Sequence, residues 1–299
     1  MLDVVIIGSG PAGITAAIYA KRANLNVAVV EKEYLGTGQI AESSRVDNYP
    51  GIPGIDGYSL GEKFREHAES LGVEFTEAQV LSLGPKDGIW IIGCDEDITL
   101  ESKAVIYATG CKNRPLGVPG EEKYYGRGLS FCAVCDGAFY KGKRVAVIGG
   151  GDTALDDAMY LSDICEKVYL VHRREFFRGS ASTLEKLKQK ENVEIIVNVR
   201  VEEITGDKKI DGIILDNKTK LNISGLFAAV GMIPQTELLK EFGVLDESNY
   251  VKASEDTKTT VNGLFAAGDV RTKQLRQVVT AAADGANAIY SVMEYLRNI

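Results

Sequence analysis

Histidine is almost missing from this chain: 299 residues contain only His67 and His172. Cysteine is sparse as well, with five residues, Cys94, Cys111, Cys132, Cys135 and Cys165. Five thiols in this length do not make a disulfide scaffold. No apolar run approaches the ~18 residues needed to span a bilayer. The apolar start at residues 4–7 is too short for a signal peptide and runs straight into glycines. Positive charge is in deficit, and a net charge of −8 argues against general nucleic-acid binding. What remains is 45% hydrophobic and 25% charged, ordinary for a soluble globular protein. The length suggests about two domains. A cytoplasmic protein with no membrane and no nucleic-acid partner is expected.

Against this background one thiol pair stands out, Cys132-Ala133-Val134-Cys135, followed at once by Asp136. Two cysteines at this spacing can close a small disulfide and so store two electrons, with a poise set by thiolate pKa and surroundings. The same spacing also suits half of a zinc site or two buried thiols. Zinc wants two further ligands at matching spacing. Cys94, Cys111 and Cys165 are scattered and form no second pair, so no metal is expected. In a reducing compartment such a pair is catalytic rather than structural. Asp136 is the nearest candidate to move the accompanying proton; as a turn residue it would instead accept backbone N–H bonds.

A glycine fingerprint lies on each side of this pair. The β-branched run at 4–7 has the form of a buried parallel strand. Gly8-Ser9-Gly10-Pro11-Ala12-Gly13 follows, then a helical pattern over 14–22, a second strand at 27–30, and Glu31. This is G-x-G-x-x-G between strand and helix, with an acid about twenty residues on. Gly8 suits the tight turn, Gly10 the close approach of a pyrophosphate, and Gly13 the packing of helix on strand. Glu31 can accept both hydroxyls of an adenosine ribose, so this site should reject a 2′-phosphate. The pattern returns with a strand at 144–148, then Gly149-Gly150-Gly151-Asp152-Thr153-Ala154 opening a helix to about residue 161, and a strand at 168–171. Here His172-Arg173-Arg174, with Arg178 close behind, replaces the acid. Guanidinium groups at that place favour a 2′-phosphate. The chain thus holds two Rossmann units.

The remaining pattern supplies a long Gly/Ser/Pro/Asn-rich loop over 36–57, a helix over 62–71, and strands near 73–75, 89–92 and 104–107. The last of these stops at Ala108-Thr109-Gly110, small residues that suit close approach to a ligand. Further strands fall near 194–197, 210–215 and 225–230, and another ends at Gly268-Asp269. A helix spans 278–296. Boundary signals sit at 110–120, with two prolines, and at Gly231-Met232-Ile233-Pro234. Two such crossings suit a hinge.

With these residues in view, the chain resembles the bacterial low-molecular-weight thioredoxin reductase family along essentially its whole length. The matching stretches are 8–13, Asn48-Tyr49-Pro50-Gly51, 108–110, 132–137, 149–154, His172-Arg173-Arg174 with Arg178, 263–270 and Arg276-Gln277-Val278. The resemblance implies an α/β fold of two Rossmann-like domains of the three-layer β/β/α type, the second inserted into the first. It implies an FAD domain at 1–112 and 244–299 and an NADPH domain at 113–243 that carries the C-x-x-C. FAD would be held by Gly8, Ser9, Gly10, Pro11, Ala12, Gly13, Glu31, Lys32, Gly38, Gln39, Asn48, Ala108, Thr109, Gly110, Gly268, Asp269, Arg276, Gln277 and Val278. NADPH would be held by Gly149, Gly151, Asp152, Thr153, Ala154, His172, Arg173, Arg174 and Arg178. Cys132, Cys135 and Asp136 would be catalytic, with Cys135 nearer the flavin and Cys132 facing thioredoxin, the protein substrate. A homodimer is implied too. Asp152 departs from the family, where asparagine is common, and puts an acid beside the expected phosphates. Cys111 stands where small residues are usual.

Overall fold

The computed structural model describes residues 1–33, 37–43 and 45–299, with only the backbone of Glu42. Gly36 and Ser44 of the expected 36–57 loop lie outside the described residues. The buried Val4 to Ile7 run forms β1 (Leu2–Ile7), and the chain turns at Gly8 with φ 103°. α1 (Pro11–Arg22) begins with Pro11, whose missing N–H costs nothing in a first turn. β2 (Val27–Glu31) then lies parallel to β1, Val4 opposite Val27. α2 (Gly57–Ser70) starts five residues before the expected 62, capped by the Asp56 carboxylate, which accepts from Ser59 N–H. Its glycines look like loop in the sequence, but a Cβ at Gly57 would lie 1.7 Å from Ile40 O and one at Gly61 2.5 Å from Thr37 Oγ1. They are glycine because the start of the helix packs against the Ile40 carbonyl and the Thr37 side chain.

β3 (Glu74–Glu77), β4 (Val80–Lys86), β5 (Ile89–Cys94) and β6 (Thr99–Tyr107) follow. β4, which carries Gly84-Pro85, is not apparent in the sequence pattern; it is an edge strand, where proline is tolerated. The sheet runs β3-β2-β1-β6-β5-β4. Its β5 and β4 arms are antiparallel.

The chain then passes through β7 (Cys111–Asn113), β8 (Leu129–Ser130), α3 (Ala133–Asp136), β9 (Arg144–Gly149), α4 (Asp152–Ser162) and β10 (Lys167–His172). α5 (Ala181–Lys188), β11 (Val193–Val197), β12 (Val201–Thr205), β13 (Gly212–Leu215), β14 (Lys220–Asn222) and β15 (Gly225–Ala229) complete the middle of the chain. β16 (Met232–Pro234), β17 (Leu264–Ala266) and α6 (Val278–Leu296) close it. β17 adds to the first sheet beside β6, parallel to it.

Two compact units result, residues 1–112 with 233–299, and residues 113–232. The resemblance implies boundaries after residues 112 and 243. The second unit ends eleven residues earlier than 243, because residues 233–243 belong with the first unit. There Leu239 is fully buried and packs with Val5, Trp90 and Val251, and Gln235 N–H donates to Gly110 O at 3.1 Å.

Both units are Rossmann-like and three-layered. In the first, α1 and α6 cover one face through Ile14, Ala16, Ala288 and Val292, and Trp90 and Ile92 of the antiparallel arm lie in the core on the other. In the second, the parallel sheet runs β11-β10-β9-β15-β8. Leu155, Leu161 and Leu187 of α4 and α5 pack into one core, and Ile204, Ile213 and Leu221 of the three-stranded sheet β12–β13–β14 into the other. No described helix is long and apolar enough to cross a membrane.

Candidate redox site

In the first unit, residues scattered over the whole chain meet at the C-terminal ends of β1, β6 and β17. A Cβ at Gly8 would lie 2.5 Å from Ala108 O, and one at Gly13 1.9 Å from Gly8 O. The turn is therefore pressed onto 108–110. Gly10, the N-cap of α1, behaves differently: the nearest atom to its Cβ position is Thr37 O at 3.9 Å. Among the described residues nothing fills the space it faces, and Gly38 lies beside it, its Cβ position 3.4 Å from Gly10 Cα. Glu31 Oε2 accepts from Ser9 N–H and Oγ–H, at 3.0 and 3.1 Å, and Oε1 accepts from Lys32 N–H at 2.8 Å.

The C-terminal segment closes this site. Asn48 Nδ2 donates to Gln277 Oε1 at 2.8 Å, and Gln277 and Thr280 form a reciprocal capping box on α6. Asp269 is held through its backbone carbonyl, which accepts from Cys111 Sγ at 2.9 Å and Arg276 Nε at 3.3 Å. Burial pushes the Asp269 carboxyl up, and its Oδ1 is buried with no partner among the described residues. A buried carboxylate oxygen without a donor costs about 1–3 kcal/mol unless a ligand supplies one. That orphan, with the open face of Gly10, fits a dinucleotide bearing a polyhydroxylated arm, such as FAD.

A buried ion cluster supports the segment, and nothing in the sequence pattern singles it out. Asp284, on α6, accepts from Arg271 Nε and Nη2 at 2.8 and 2.6 Å, from Lys273 Nζ at 2.9 Å and from Gly268 N–H at 2.8 Å. Burial pushes its pKa up, but Arg271 and Lys273 more than offset this and hold it below the ordinary carboxylate value.

In the second unit the same logic recurs. A Cβ at Gly149 would lie 2.4 Å from Ala229 O, whereas a Cβ at Gly151, the N-cap of α4, would meet nothing within 4 Å among the described residues. Ala154 is buried beneath the turn. Thr153 is exposed in the first turn of α4, beside Asp152. His172 is placed apart from the other basic residues: it is buried, its ring fills the space beside Gly150, and Nε2 lies 3.2 Å from Phe176 O. Burial lowers its pKa, with the neighbouring arginines adding to the effect. It backs the glycine turn as a neutral ring. Arg173, Arg174 and Arg178 are exposed, and among the described residues no carboxylate pairs with them.

Cys132 and Cys135 are joined in a disulfide with Cα atoms 5.3 Å apart. Cys132 is extended and caps α3, its Sγ accepting from Cys135 N–H at 3.2 Å. Ser130, two residues earlier, organises the turn: its Oγ accepts from Cys132 N–H at 3.1 Å and donates to Asp136 Oδ2 at 2.6 Å. Burial pushes the Asp136 carboxyl up, partly countered by Ser130. Burial and the Asp136 charge push the nearby Tyr140 phenol up as well. Ser130 and Tyr140 flank the pair in the chain, but neither belongs to its motif. Cys94, Cys111 and Cys165 are buried free thiols. Burial pushes Cys111 up to about 12 and Cys165 to about 11, where neither is a thiolate at neutral pH.

Two nucleotide folds and one half-buried disulfide beside a carboxyl of raised pKa define a nucleotide-dependent dithiol oxidoreductase. The chain belongs to the pyridine nucleotide-disulphide oxidoreductase family, whose profile matches residues 2–285, and within it to the low-molecular-weight thioredoxin reductases. The thioredoxin reductase of Bacillus subtilis (strain 168) is 38% identical, over 99% of this chain and 95% of that protein. That of Helicobacter pylori (strain J99) is 40% identical over the full length of both. The crystal structure of thioredoxin reductase from Streptococcus pyogenes superposes with a TM-score of 0.94 at 40% identity, covering 100% of this chain and 99% of that one.

Proposed function

We propose that this protein is an NADPH-dependent reductase of thioredoxin, with FAD in the first unit and NADPH in the second. The observation that carries the reading is the Cys132–Cys135 disulfide with its Ser130–Asp136 contact, in the same unit as a basic second fingerprint. FAD would be held by the 8–13 turn, Glu31, the 108–110 strand end, Asp269 and the 276–278 turn. When bound, the flavin supplies two-electron transfer between nicotinamide and disulfide.

The chain's own residues do the rest. Reduction of the disulfide takes two electrons and two protons and leaves two thiols. Asp136, its carboxyl raised by burial, holds a proton at neutral pH more readily than a surface aspartate and passes it to or from the sulfur. The Cys132 thiolate attacks the disulfide of oxidised thioredoxin, forming a mixed disulfide and releasing one thiolate of the partner. Cys135 then displaces the second, restoring the Cys132–Cys135 bond. Val134, 58% exposed between the two cysteines, leaves their outer side open to a protein. The preference for NADPH rests on Arg173, Arg174 and Arg178, and rejection of a 2′-phosphate in the first unit on Glu31.

A homodimer in the cytoplasm completes the proposal. It is supported by the exposed stripe Val279, Ala283 and Tyr290 on α6, with Tyr290 75% exposed. Sedimentation measures the dimer directly. The central test is anaerobic titration with NADPH while flavin absorbance is followed, then addition of oxidised thioredoxin. Bleaching followed by many electrons per protein is expected. Only two electrons per protein would mark a redox sensor rather than an enzyme, and bleaching by NADH but not NADPH would reassign the donor.

A further inference from the structure

In the second unit, the segment carrying Arg173, Arg174 and Arg178 is pinned onto the glycine turn. Arg178 N–H and Gly179 N–H both donate to Gly150 O, at 2.7 and 3.3 Å. The Asp152 carboxylate reaches across from the first turn of α4, and its Oδ1 accepts from Ser180 N–H at 2.7 Å. Gly179 permits this closeness: its φ is ordinary, but a Cβ there would lie 2.8 Å from both Asp152 N and Gly151 C. Its glycine is demanded by space and not by conformation. At the other end, His172 fills the space beside Gly150 and sits against Phe176 O. The segment is therefore held before and after the arginines, while the guanidinium groups stay in solvent.

We propose that Asp152 is a positioning residue for nucleotide selection, clamping the arginine segment onto the fingerprint and so setting the preference for a 2′-phosphorylated nucleotide. The inference rests on the reading of this unit as the NADPH site. Long side chains bind a phosphate tightly only when their backbone origins are fixed beforehand, because ordering the segment on binding would consume part of the gain. An acid beside phosphates would by itself oppose binding. Here its acceptor oxygen is engaged by a backbone N–H, which explains how it can stand there. Asparagine offers the same Oδ1 without the charge, whereas alanine offers neither.

The test uses the full-length flavin-loaded protein and two probes that need no turnover, 2′,5′-ADP and 5′-AMP, bound in a calorimeter. Wild type should bind 2′,5′-ADP more tightly. Asp152→Ala should shrink that ratio roughly tenfold, the scale of one lost charge-assisted bond. Asp152→Asn should keep the ratio within about threefold of wild type. Gly179→Ala, which pushes the segment off the turn, should resemble Asp152→Ala. The NADPH-to-NADH ratio of kcat/KM should follow the same order. An unchanged ratio in Asp152→Ala would overturn the clamp and leave the NADPH reading standing. Equal loss of both probes would overturn it too, because Asp152 would then serve the helix and not the selection. A wild type without preference would remove the NADPH reading and this proposal together. Should Gly179→Ala fail to fold, the Ala and Asn variants at 152 decide alone.

Discussion

Single side chains carry the chemistry, and their pKa values follow from where the fold buries them. Replacing Cys132 or Cys135 by serine should abolish thioredoxin reduction while leaving flavin bleaching by NADPH intact, because the proposed relay puts the disulfide downstream of the flavin. Retained turnover with thioredoxin in either variant would show that the pair is not the exit. Asp157 gives a pH test. Burial, with the Asp156 charge, pushes its carboxyl from 3.8 to about 7. A raised carboxyl binds its proton more tightly in the folded state, so its contribution to stability is full below pH 3.8 and is lost as pH rises towards 7. Asp157→Asn should therefore match wild type near pH 4 and exceed it above pH 7. With its partial exposure discounted, the gain should be about 1–2 kcal/mol. Parallel melting curves across that range would reject the assignment. The cysteine pair and its aspartate were legible as a motif. The raised Asp136 was not, because desolvation, only partly countered by Ser130, depends on packing that no local pattern announces.

At the level of elements, the end of β17 and the start of α6 form a frame for the proposed flavin site, and Asp284 holds that frame. Its pKa is lowered, so its contribution is present above 3.8 and lost as pH falls through the lower folded value. Asp284→Asn would leave Arg271 and Lys273 buried beside a neutral group and should cost about 3–5 kcal/mol. It should also weaken FAD retention, measured by dialysis and fluorescence of released flavin. Unchanged stability with full flavin content would mean that the cluster is ornamental. α6 was legible at both ends, because nineteen residues of helical period leave little ambiguity. α2 began earlier than its apolar pattern, because Gly57 and Gly61 are set by contact with Ile40 and Thr37. β4 escaped notice, since Gly84-Pro85 resembles a turn and becomes strand only through its pairing with β5.

On the scale of the molecule, the second unit is one continuous stretch and the first is two. The ends of the stretch meet within the unit, where Arg114 N–H donates to Gly231 O at 3.0 Å. The excised segment 113–232 should therefore fold alone, melt cooperatively and bind 2′,5′-ADP. Residues 1–112 alone should not fold, because β17, α6 and Leu239 complete their sheet and both their cores. A folded, protease-resistant 1–112 fragment would contradict this division.

The order of the two Rossmann units, the place of the thiol pair and the opposite charge after β2 and after β10 were determined by the sequence alone. Each depends on residues close along the chain, where period and glycine spacing are direct physical signals. The orphan oxygen of Asp269, the Arg271–Asp284–Lys273 cluster and the bond from Ser180 to Asp152 were decided only by the tertiary structure. Each joins groups distant in sequence or defines what a group lacks, and neither burial nor an unmet hydrogen bond exists until the chain has closed around it.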